Sequence, residues 1–342
     1  MVEEAPRRPT LADVARLAGM SKSATSMILN NKEGSRLSAA AAERVRAAAT
    51  ELGYRPNPAA QSLRLGHTRT LGFVSDNVTL TRYASAMIRG VLDTAAQHDH
   101  TVLITETGGD PQRLDASIQS MLDRRVDGIL VGLFQARMVD VPRIPANLPL
   151  LIVNGTTPQD HPSVLPGEYA AGRTVAEFLL NAGHRRIAFI GPVRRLMNDP
   201  RQSVSIDDRL QGMDDAFAAG GVSPLRVDVA EWTVQLGYEH ALRTITTRPE
   251  LTAIVAGNDN IAFGVYQAMH ELGLRIPHDL SVISFDDEEV AAYQRPGLTT
   301  ARLPYQEMAQ RAVEMLLGRR EPAHETLPMP LVVRESVGPP RD

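Results

Sequence analysis

Apolar residues recur every three or four positions over residues 10–18, which is the spacing of one face of an amphipathic helix. Thr10 is a suitable N-cap for this helix, and Asp13 stands where a capping box needs an acidic partner. Gly19 permits a sharp turn, after which residues 22–29 predict a second helix that Ser21 caps. The positions expected to face inward are Leu11, Val14, Ala15, Ala18, Thr25, Ile28 and Leu29.

A third helix is predicted to begin after Ser38 and to end near Leu52. Two helices joined by a short turn and backed by a third are the plan of a helix-turn-helix DNA-binding domain, although an ordinary three-helix bundle has the same outline. In the DNA-binding plan the second helix enters the major groove, where Lys22 can donate to guanine and Met27 offers only an apolar contact. The residues predicted to contact DNA here are Thr10, Ser21, Lys22, Ser23, Ser26, Met27, Asn30 and Tyr54.

The segment that follows predicts a short fourth helix. Pro56 and Pro58 break the third helix, and Asn57 can cap a new one with Pro58 at its first position. Such a short helix is marginal in water, so it needs DNA or a second subunit to hold it. The residues of this segment predicted to contact DNA are Asn57, Ala60 and Leu63.

From residue 70 onward, short runs of Val, Ile and Leu alternate with helical stretches. Strands are predicted at residues 71–75, 101–105, 128–133, 150–154, 186–190, 226–229, 252–256, 281–285 and 330–334. Helices are predicted near residues 83–97, 111–125, 168–183, 208–220, 235–247, 259–273 and 305–318. This alternation indicates parallel sheets with helices on both faces. The segment is too long for one compact sheet, so we expect two similar lobes with a ligand cleft at the carboxyl ends of the strands.

Composition narrows the classes of function. The 342 residues include no cysteine, which excludes disulfides and thiolate metal sites. Neither a run of about 18 apolar residues nor a signal peptide is recognisable, so we expect a cytoplasmic protein with no membrane partner. Residues 1–66 hold ten Lys or Arg against six Asp or Glu, whereas the whole chain has a net charge of −4. A basic first segment on an acidic remainder is typical of a nucleic-acid-binding module joined to another domain.

The first segment resembles the start of a lactose/galactose-repressor (LacI/GalR) family regulator, in TLADVARLAGMSKSATSMILN and ERVRAAATELGYRPNPAAQSLRLGHTRTLGFV. The resemblance implies that the hinge helices of two subunits pair in the minor groove, where Leu63 wedges between base pairs and bends the DNA. It also implies a helix-turn-helix domain over residues 1–56, a hinge helix and linker over 57–69, and an effector-binding and dimerisation domain over 70–342. Met27 departs from the family, which commonly has Arg there.

The resemblance continues in AGHRRIAFIG, AGNDNIAFG, DLSVISFDD and RPGLTTARLPYQEMA. It implies the fold of periplasmic sugar-binding proteins, with three strands that cross between two lobes and act as hinges. The first lobe would comprise about residues 70–172 and 303–332, and the second about residues 173–302. Gly167 stands where family members usually carry Asp, so either a carboxylate that bridges the ligand or the lobes is lost or Glu168 substitutes for it.

Polar residues near the ends of predicted strands match the family's effector-binding positions. They are Arg209, Trp232, Asn258 and Asp286, and the loop after the first strand adds Asp76 and Tyr83. Carboxylates and amides bind hydroxyl groups, Arg adds rigid donors, and an indole face packs on a sugar ring. Two neighbours have simpler alternatives, because Asp259 can cap the helix that follows and Asp287 can pair locally.

These observations predict a ligand-responsive, sequence-specific DNA-binding transcription regulator. We expect a repressor of a sugar or other metabolite operon that binds a pseudo-palindromic double-stranded operator as a homodimer. A sugar is the first candidate effector, and no cofactor or metal is expected. A periplasmic solute receptor would have the same two-lobed domain, but it would lack residues 10–66. An enzyme is the third alternative, and no catalytic motif supports it.

Overall fold

The computed structural model describes residues 9–29, 37–55, 66–81 and 84–341. The chain divides into two compact units, residues 1–68 and residues 69–342, which we call the head and the body. The hinge helix predicted from the sequence lies outside the described residues. The candidate site residues that also lie outside them are Asn30, Asn57, Ala60, Leu63 and Tyr83.

The head contains the three predicted helices, α1 (Leu11–Leu17), α2 (Lys22–Leu29) and α3 (Ala39–Glu51). Thr10 caps α1 in a full capping box, because its hydroxyl accepts from the Asp13 backbone while the Asp13 carboxylate accepts from the Thr10 backbone. The Ser21 hydroxyl accepts from the Ala24 backbone at 3.2 Å, and Ser38 caps α3 in the same way. Each helix therefore begins at the residue that the sequence predicts.

The core of the head is small and rich in alanine. Its fully buried members are Val14, Ala18, Ile28, Val45, Ala48 and Ala49. Thr25 is also buried, and its hydroxyl donates to the Ser21 carbonyl at 3.0 Å, which satisfies the polar atom. The predicted inward face of α2 is thus confirmed. Gly19 joins α1 to α2 at a φ of 65°, a conformation that residues with a Cβ avoid.

The body alternates strands with helices. Its strands are β1 (Thr70–Asp76), β2 (Thr101–Glu106), β3 (Gly128–Met138), β4 (Leu150–Thr156), β5 (Ser163–Pro166), β6 (Ile187–Ile190), β7 (Leu225–Val227), β8 (Ala253–Ala256), β9 (Ser281–Asp286), β10 (Thr299–Arg302), β11 (Glu325–Leu327) and β12 (Leu331–Val332). Its helices are α4 (Ser85–Gln97), α5 (Pro111–Asp123), α6 (Glu168–Asn181), α7 (Ile206–Ala219), α8 (Val234–Thr247), α9 (Asp259–Glu271), α10 (Glu289–Tyr293) and α11 (Tyr305–Leu316). None of the described helices is long and apolar enough to cross a lipid bilayer.

Two sheets organise the body into two lobes. The first lobe holds the order β11-β5-β4-β3-β1-β2, in which all neighbours are parallel. The second holds β12-β10-β9-β8-β6-β7, parallel except for the pair of β10 with β12. The central strands are buried runs of Val, Ile and Leu, as a sheet covered by helices on both faces requires. The predicted fold class is confirmed.

The boundary between the lobes differs from the expected one. Connections at residues 166–168, 302–305 and 327–331 pass from one sheet to the other. Helix α6 belongs wholly with the second lobe, because its apolar face is buried in that lobe's core. The expected first-lobe segment 303–332 is wrong at its end, since β12 pairs with β10 of the second sheet.

Candidate functional site

Helix α2 presents a polar surface away from the core of the head. Lys22 and Ser23 are exposed, Ser26 and Met27 are half-buried, and the first turn holds no acidic residue. Thr10 and Ser21 use their hydroxyls as helix caps, so their first role is structural. Tyr54 packs partly against the core of the head. The predicted base-reading positions therefore share one face of α2.

A cavity of about 310 Å³ lies between the two lobes of the body. Four predicted effector residues line it together, namely Arg209, Trp232, Asn258 and Asp286. Residues from the first lobe complete the wall, among them Phe134, Gln135 and Asn154. The volume lies in the range of ordinary small-molecule sites. The carboxyl ends of β8 and β9 supply Asn258 and Asp286, as an open parallel sheet predicts.

Arg209 is the central cation of this cavity. It lies in the first turn of α7, and its Nε and Nη2 donate to the two carboxylate oxygens of Glu168 at 2.6 and 2.7 Å. Its Nη1 donates to the Gly257 carbonyl at 2.8 Å, and its guanidinium packs over the ring of Phe285. Both members of the ion pair are about 4% exposed. Glu168, the first residue of α6, is thus the carboxylate that pairs with Arg209 next to Gly167.

Asp286 ends β9 with a φ of 107°, a strained conformation for a residue other than glycine. Its Oδ1 lies 3.7 Å from Nη2 of Arg209. Burial raises the pKa of Asp286 well above its ordinary value, and the nearby carboxylates of Asp259 and Glu168 act in the same direction. The carboxyl group therefore lies at ion-pair distance from Arg209, whose shorter hydrogen bonds go to Glu168.

Asp259 does not have the capping role that the sequence offered as an alternative. Asn258, rather than Asp259, caps α9, because its side chain accepts from the Ile261 backbone at 3.0 Å. The carboxylate of Asp259 is fully buried and accepts from Ser284, from Thr300 and from the backbone of Glu288. Burial raises the pKa of Asp259 to about 7.

Asp287 does pair, but not with a neighbour in sequence. It accepts from Arg334 at 2.7 Å, across 47 positions of the chain. The ion pair ties the end of β9 to the segment after β12. Asp287 therefore stabilises the second lobe.

Trp232 lines the cavity with its indole held in place. Its Nε1 donates to the Gly191 carbonyl at 2.8 Å, and the ring centroid lies 5.6 Å from the guanidinium carbon of Arg209. Gly257 permits this approach, since a Cβ there would lie 2.8 Å from the indole nitrogen. The ring is half-buried, so one part of it remains available to a ligand.

Asp76 does not join this group. It lines a separate pocket, formed by first-lobe residues together with Arg201 of the second lobe, and accepts from Arg137 at 2.5 Å. Arg137 comes from the far end of β3, which runs beyond the predicted residue 133 to Met138 after a shift of register. Asp76 therefore lies outside the cavity that the other effector residues line, and its part in effector binding stays a prediction.

Asn154 and Tyr305 line the cavity and were missed in the sequence. The amide nitrogen of Asn154 donates to the carbonyls of Leu133 and Phe134 at 2.9 and 3.0 Å, while its Oδ1 is buried and has no partner among the described residues. The hydroxyl of Tyr305 donates to the Phe134 carbonyl at 2.8 Å. The position of Asn154 directly after the run Leu150–Val153 is the same signal that identified Asn258.

The far end of β3 joins the two lobes on one side of the cavity. The Met138 backbone donates to the Pro200 carbonyl at 2.7 Å, and the Val204 backbone donates to the Ala136 carbonyl at 2.8 Å. The side chain of Gln135 adds a bond to the Gln202 carbonyl at 3.0 Å. These three hydrogen bonds link β3 of the first lobe to residues 200–204 of the second.

A three-helix unit with a polar recognition helix, joined to a two-lobed body with a polar cavity, defines a class of ligand-responsive DNA-binding regulators. Residues 10–57 match the family model of bacterial regulatory proteins of the lacI family, and residues 176–337 match a periplasmic-binding-protein-like domain. The ribose operon repressor of Haemophilus influenzae is 32% identical to this chain, over 96% of this chain and 98% of the relative. The HTH-type transcriptional repressor PurR of Vibrio vulnificus is 28% identical, over 96% of this chain and 98% of the relative.

Solved structures agree with these relatives. A lac repressor dimer bound to operator and the anti-inducer ONPF superposes with a TM-score of 0.79 at 26% identity, covering 97% of this chain and 100% of that one. A putative regulator of the same family from Rhizobium etli has a TM-score of 0.70 at 27% identity, covering 79% and 99%. The chain belongs to the LacI family of bacterial transcription regulators. Both sequence relatives bear the names of transcriptional repressors.

Proposed function

We propose that this regulator is a repressor that binds a pseudo-palindromic operator as a homodimer and changes its operator affinity when a small molecule enters the cavity. The observation that carries the proposal is the cavity in which Arg209, Trp232, Asn258 and Asp286 converge, in a chain that also holds a helix-turn-helix head. An effector changes operator affinity only if it binds the high-affinity and the low-affinity states of the protein unequally. Closure of the two lobes around the effector supplies such a difference.

We assign residues 1–56 to DNA binding, 57–69 to the hinge and linker, and 70–342 to effector binding and dimerisation. The polar face of α2 reads base edges in the major groove, with Lys22 as the donor to guanine. Asn57, Ala60 and Leu63 contact the operator through the hinge. Because its target is the chromosome, we assign the protein to the cytoplasm.

For the effector we favour a sugar. Asp286 and Asn154 supply acceptors, Asn258 supplies an amide donor, and Trp232 supplies a flat apolar face. Ribose is the first compound to try, because relatives over nearly the whole chain are named ribose operon repressors. The protein performs no chemistry on its ligand under this proposal, and its output is the change in operator affinity.

A gel shift tests the DNA-binding half of the proposal. The purified chain should bind a palindrome from its own promoter region at low salt, with affinity that falls steeply as salt rises. Lys22→Met should weaken this binding about tenfold or more, the value of a good base contact. Arg319→Met, which removes an equal charge from an exposed position of the body, should leave it unchanged. Failure to bind any palindrome in the promoter region would overturn the proposal.

A ligand screen tests the other half. Sugars, nucleosides and organic acids are added to the protein, and the melting temperature and Trp232 fluorescence are recorded, since a ligand of the native state raises the melting temperature. Trp232 is the only tryptophan of the chain, so its emission reports on the cavity alone. The effector should change both signals, and in a variant that lacks the Asp286 carboxylate it should do so only at concentrations about tenfold higher or more.

A further inference from the structure

The charges that line the cavity do not cancel. The charged side chains among its described lining residues are Glu168, Arg195, Arg209, Glu231, Asp286 and Glu288. Glu168 holds Arg209 through two short hydrogen bonds, and Glu231 lies 3.9 Å from Arg195. Each lining arginine therefore already has a carboxylate, and two further carboxylates remain, one of which, Asp286, shares Arg209 with Glu168 at 3.7 Å.

Asp286 and Glu288 are these remaining carboxylates. Asp286 is 7% exposed, and the nearest cation, Arg209, is 3.7 Å away and already bound to Glu168. Glu288 accepts only a long hydrogen bond from Asn260 at 3.4 Å, and its backbone donates to the buried carboxylate of Asp259. An incoming anion would meet this excess of negative charge at short range.

Asn154 gives an independent indication of the ligand. It is 2% exposed, and its amide nitrogen is fixed by two backbone carbonyls, so the orientation of the side chain is set. Its Oδ1 is the atom left without a partner, in a residue that lines the cavity. A buried acceptor without a donor is costly, and a ligand hydroxyl would satisfy it.

We propose that the cavity selects a hydroxyl-bearing ligand that carries no phosphate or carboxylate, so that the regulator responds to the free compound before phosphoryl transfer to it. This inference rests on the proposed function, since it describes the effector of that cavity. A phosphate would need Arg209 to leave Glu168, which would strand a buried carboxylate among Asp286 and Glu288. The ligand's hydroxyls instead donate to Asn154 and Asp286, which are acceptors already in place.

Inorganic phosphate is the first probe. Trp232 fluorescence of the intact protein is titrated with sodium phosphate against sodium chloride of equal ionic strength. The wild type should show no saturable response. Glu168→Gln combined with Asp286→Asn frees the Arg209 guanidinium from both carboxylates, so this variant should gain a saturable response that a third change, Arg209→Met, abolishes. If the double variant does not fold, Glu168→Gln alone, which removes the carboxylate hydrogen-bonded to Arg209, is judged by the same criterion.

Pairs of sugars and their phosphate esters provide the second arm, beginning with ribose and ribose 5-phosphate. Compounds that alter operator binding should be unphosphorylated, with their esters at least about 100-fold weaker. Saturable phosphate binding by the wild type, an ester that acts as well as its sugar, or a folded variant that gains no phosphate response would each overturn the inference. If the protein bound no operator at all, the proposed function would be contradicted instead. The phosphate titration would still show whether the cavity excludes anions.

Discussion

Loss of the Glu168 carboxylate should lower the free energy of unfolding of the body by about 3 kcal/mol. The pair of Glu168 with Arg209 is about 4% exposed on each side and has two hydrogen bonds of 2.6 and 2.7 Å. Removal of one partner of a buried pair costs about 3–5 kcal/mol, because it leaves the other charge uncompensated. Glu168→Gln belongs at the lower end, since the amide oxygen can still accept from Arg209, which also keeps its bond to the Gly257 carbonyl.

Urea unfolding followed by Trp232 emission measures this loss, because the only tryptophan of the chain lies beside Arg209. A loss of this size corresponds to a fall in melting temperature of about 6–12 °C for a unit of this length. Glu177→Gln is the matched control, since Glu177 pairs with Arg173 on the exposed face of the same helix. The control should lose about 0.5 kcal/mol or less.

A double variant separates the charge from the packing. Glu168→Leu with Arg209→Met removes both charges together, so its free energy of unfolding should be closer to that of the wild type than is that of Arg209→Met alone, which leaves Glu168 buried without its cation. Its ligand response should be lost. If Glu168→Gln and Glu177→Gln lower the free energy of unfolding by the same small amount, with unchanged m-values, the claim that Glu168 and Arg209 form a buried, coupled ion pair is refuted.

Three further predictions follow from the described contacts. Thr10→Ala should lower the stability of the head by about 1 kcal/mol, measured by thermal melting at 222 nm, because the capping box is lost. Burial lowers the pKa of His184, whose Nε2 lies 2.9 Å from the Gly338 carbonyl, so the folded state resists protonation of this residue. The contribution of His184 to the free energy of unfolding should be fully present above pH 6.5 and should fall as the pH drops below that value. Urea unfolding of His184→Gln at several pH values should show a weaker dependence on pH. Asp286→Asn should weaken the effector about tenfold or more, whereas Asp76→Asn should leave its affinity within about twofold, because Asp76 lies in a different pocket.

The fold follows from the sequence wherever a strand is a buried apolar run. The segment over residues 128–133 is such a run, and every residue in it is buried in β3. Strands β5, β10 and β11 were not predicted because they have three or four residues and contain Ser, Thr, Pro or Glu in place of Val and Ile. Their backbone pairing with longer neighbours, rather than their own composition, makes them strands.

The candidate site, like the fold, can be predicted from the sequence only in part. Asn258 and Asp286 can be predicted because polar residues that directly follow parallel strands meet at one edge of a sheet. The partner of Arg209 cannot, since Glu168 is 41 positions away and belongs to another helix. Asp76 also follows a strand, but Arg137 from the extended end of β3 holds it in another pocket. Long-range ion pairs of this kind depend on the tertiary arrangement and have no signal in local sequence.

The most direct test of the account is the operator affinity of the intact protein with and without its cavity ligand. The wild type should bind its promoter palindrome and change its affinity about tenfold or more when the ligand saturates the cavity, in line with ordinary allosteric coupling. Asp286→Asn should bind the operator equally well and respond only at higher ligand concentrations. An operator affinity that the ligand does not alter, or a response that is identical in Asp286→Asn, would contradict the account.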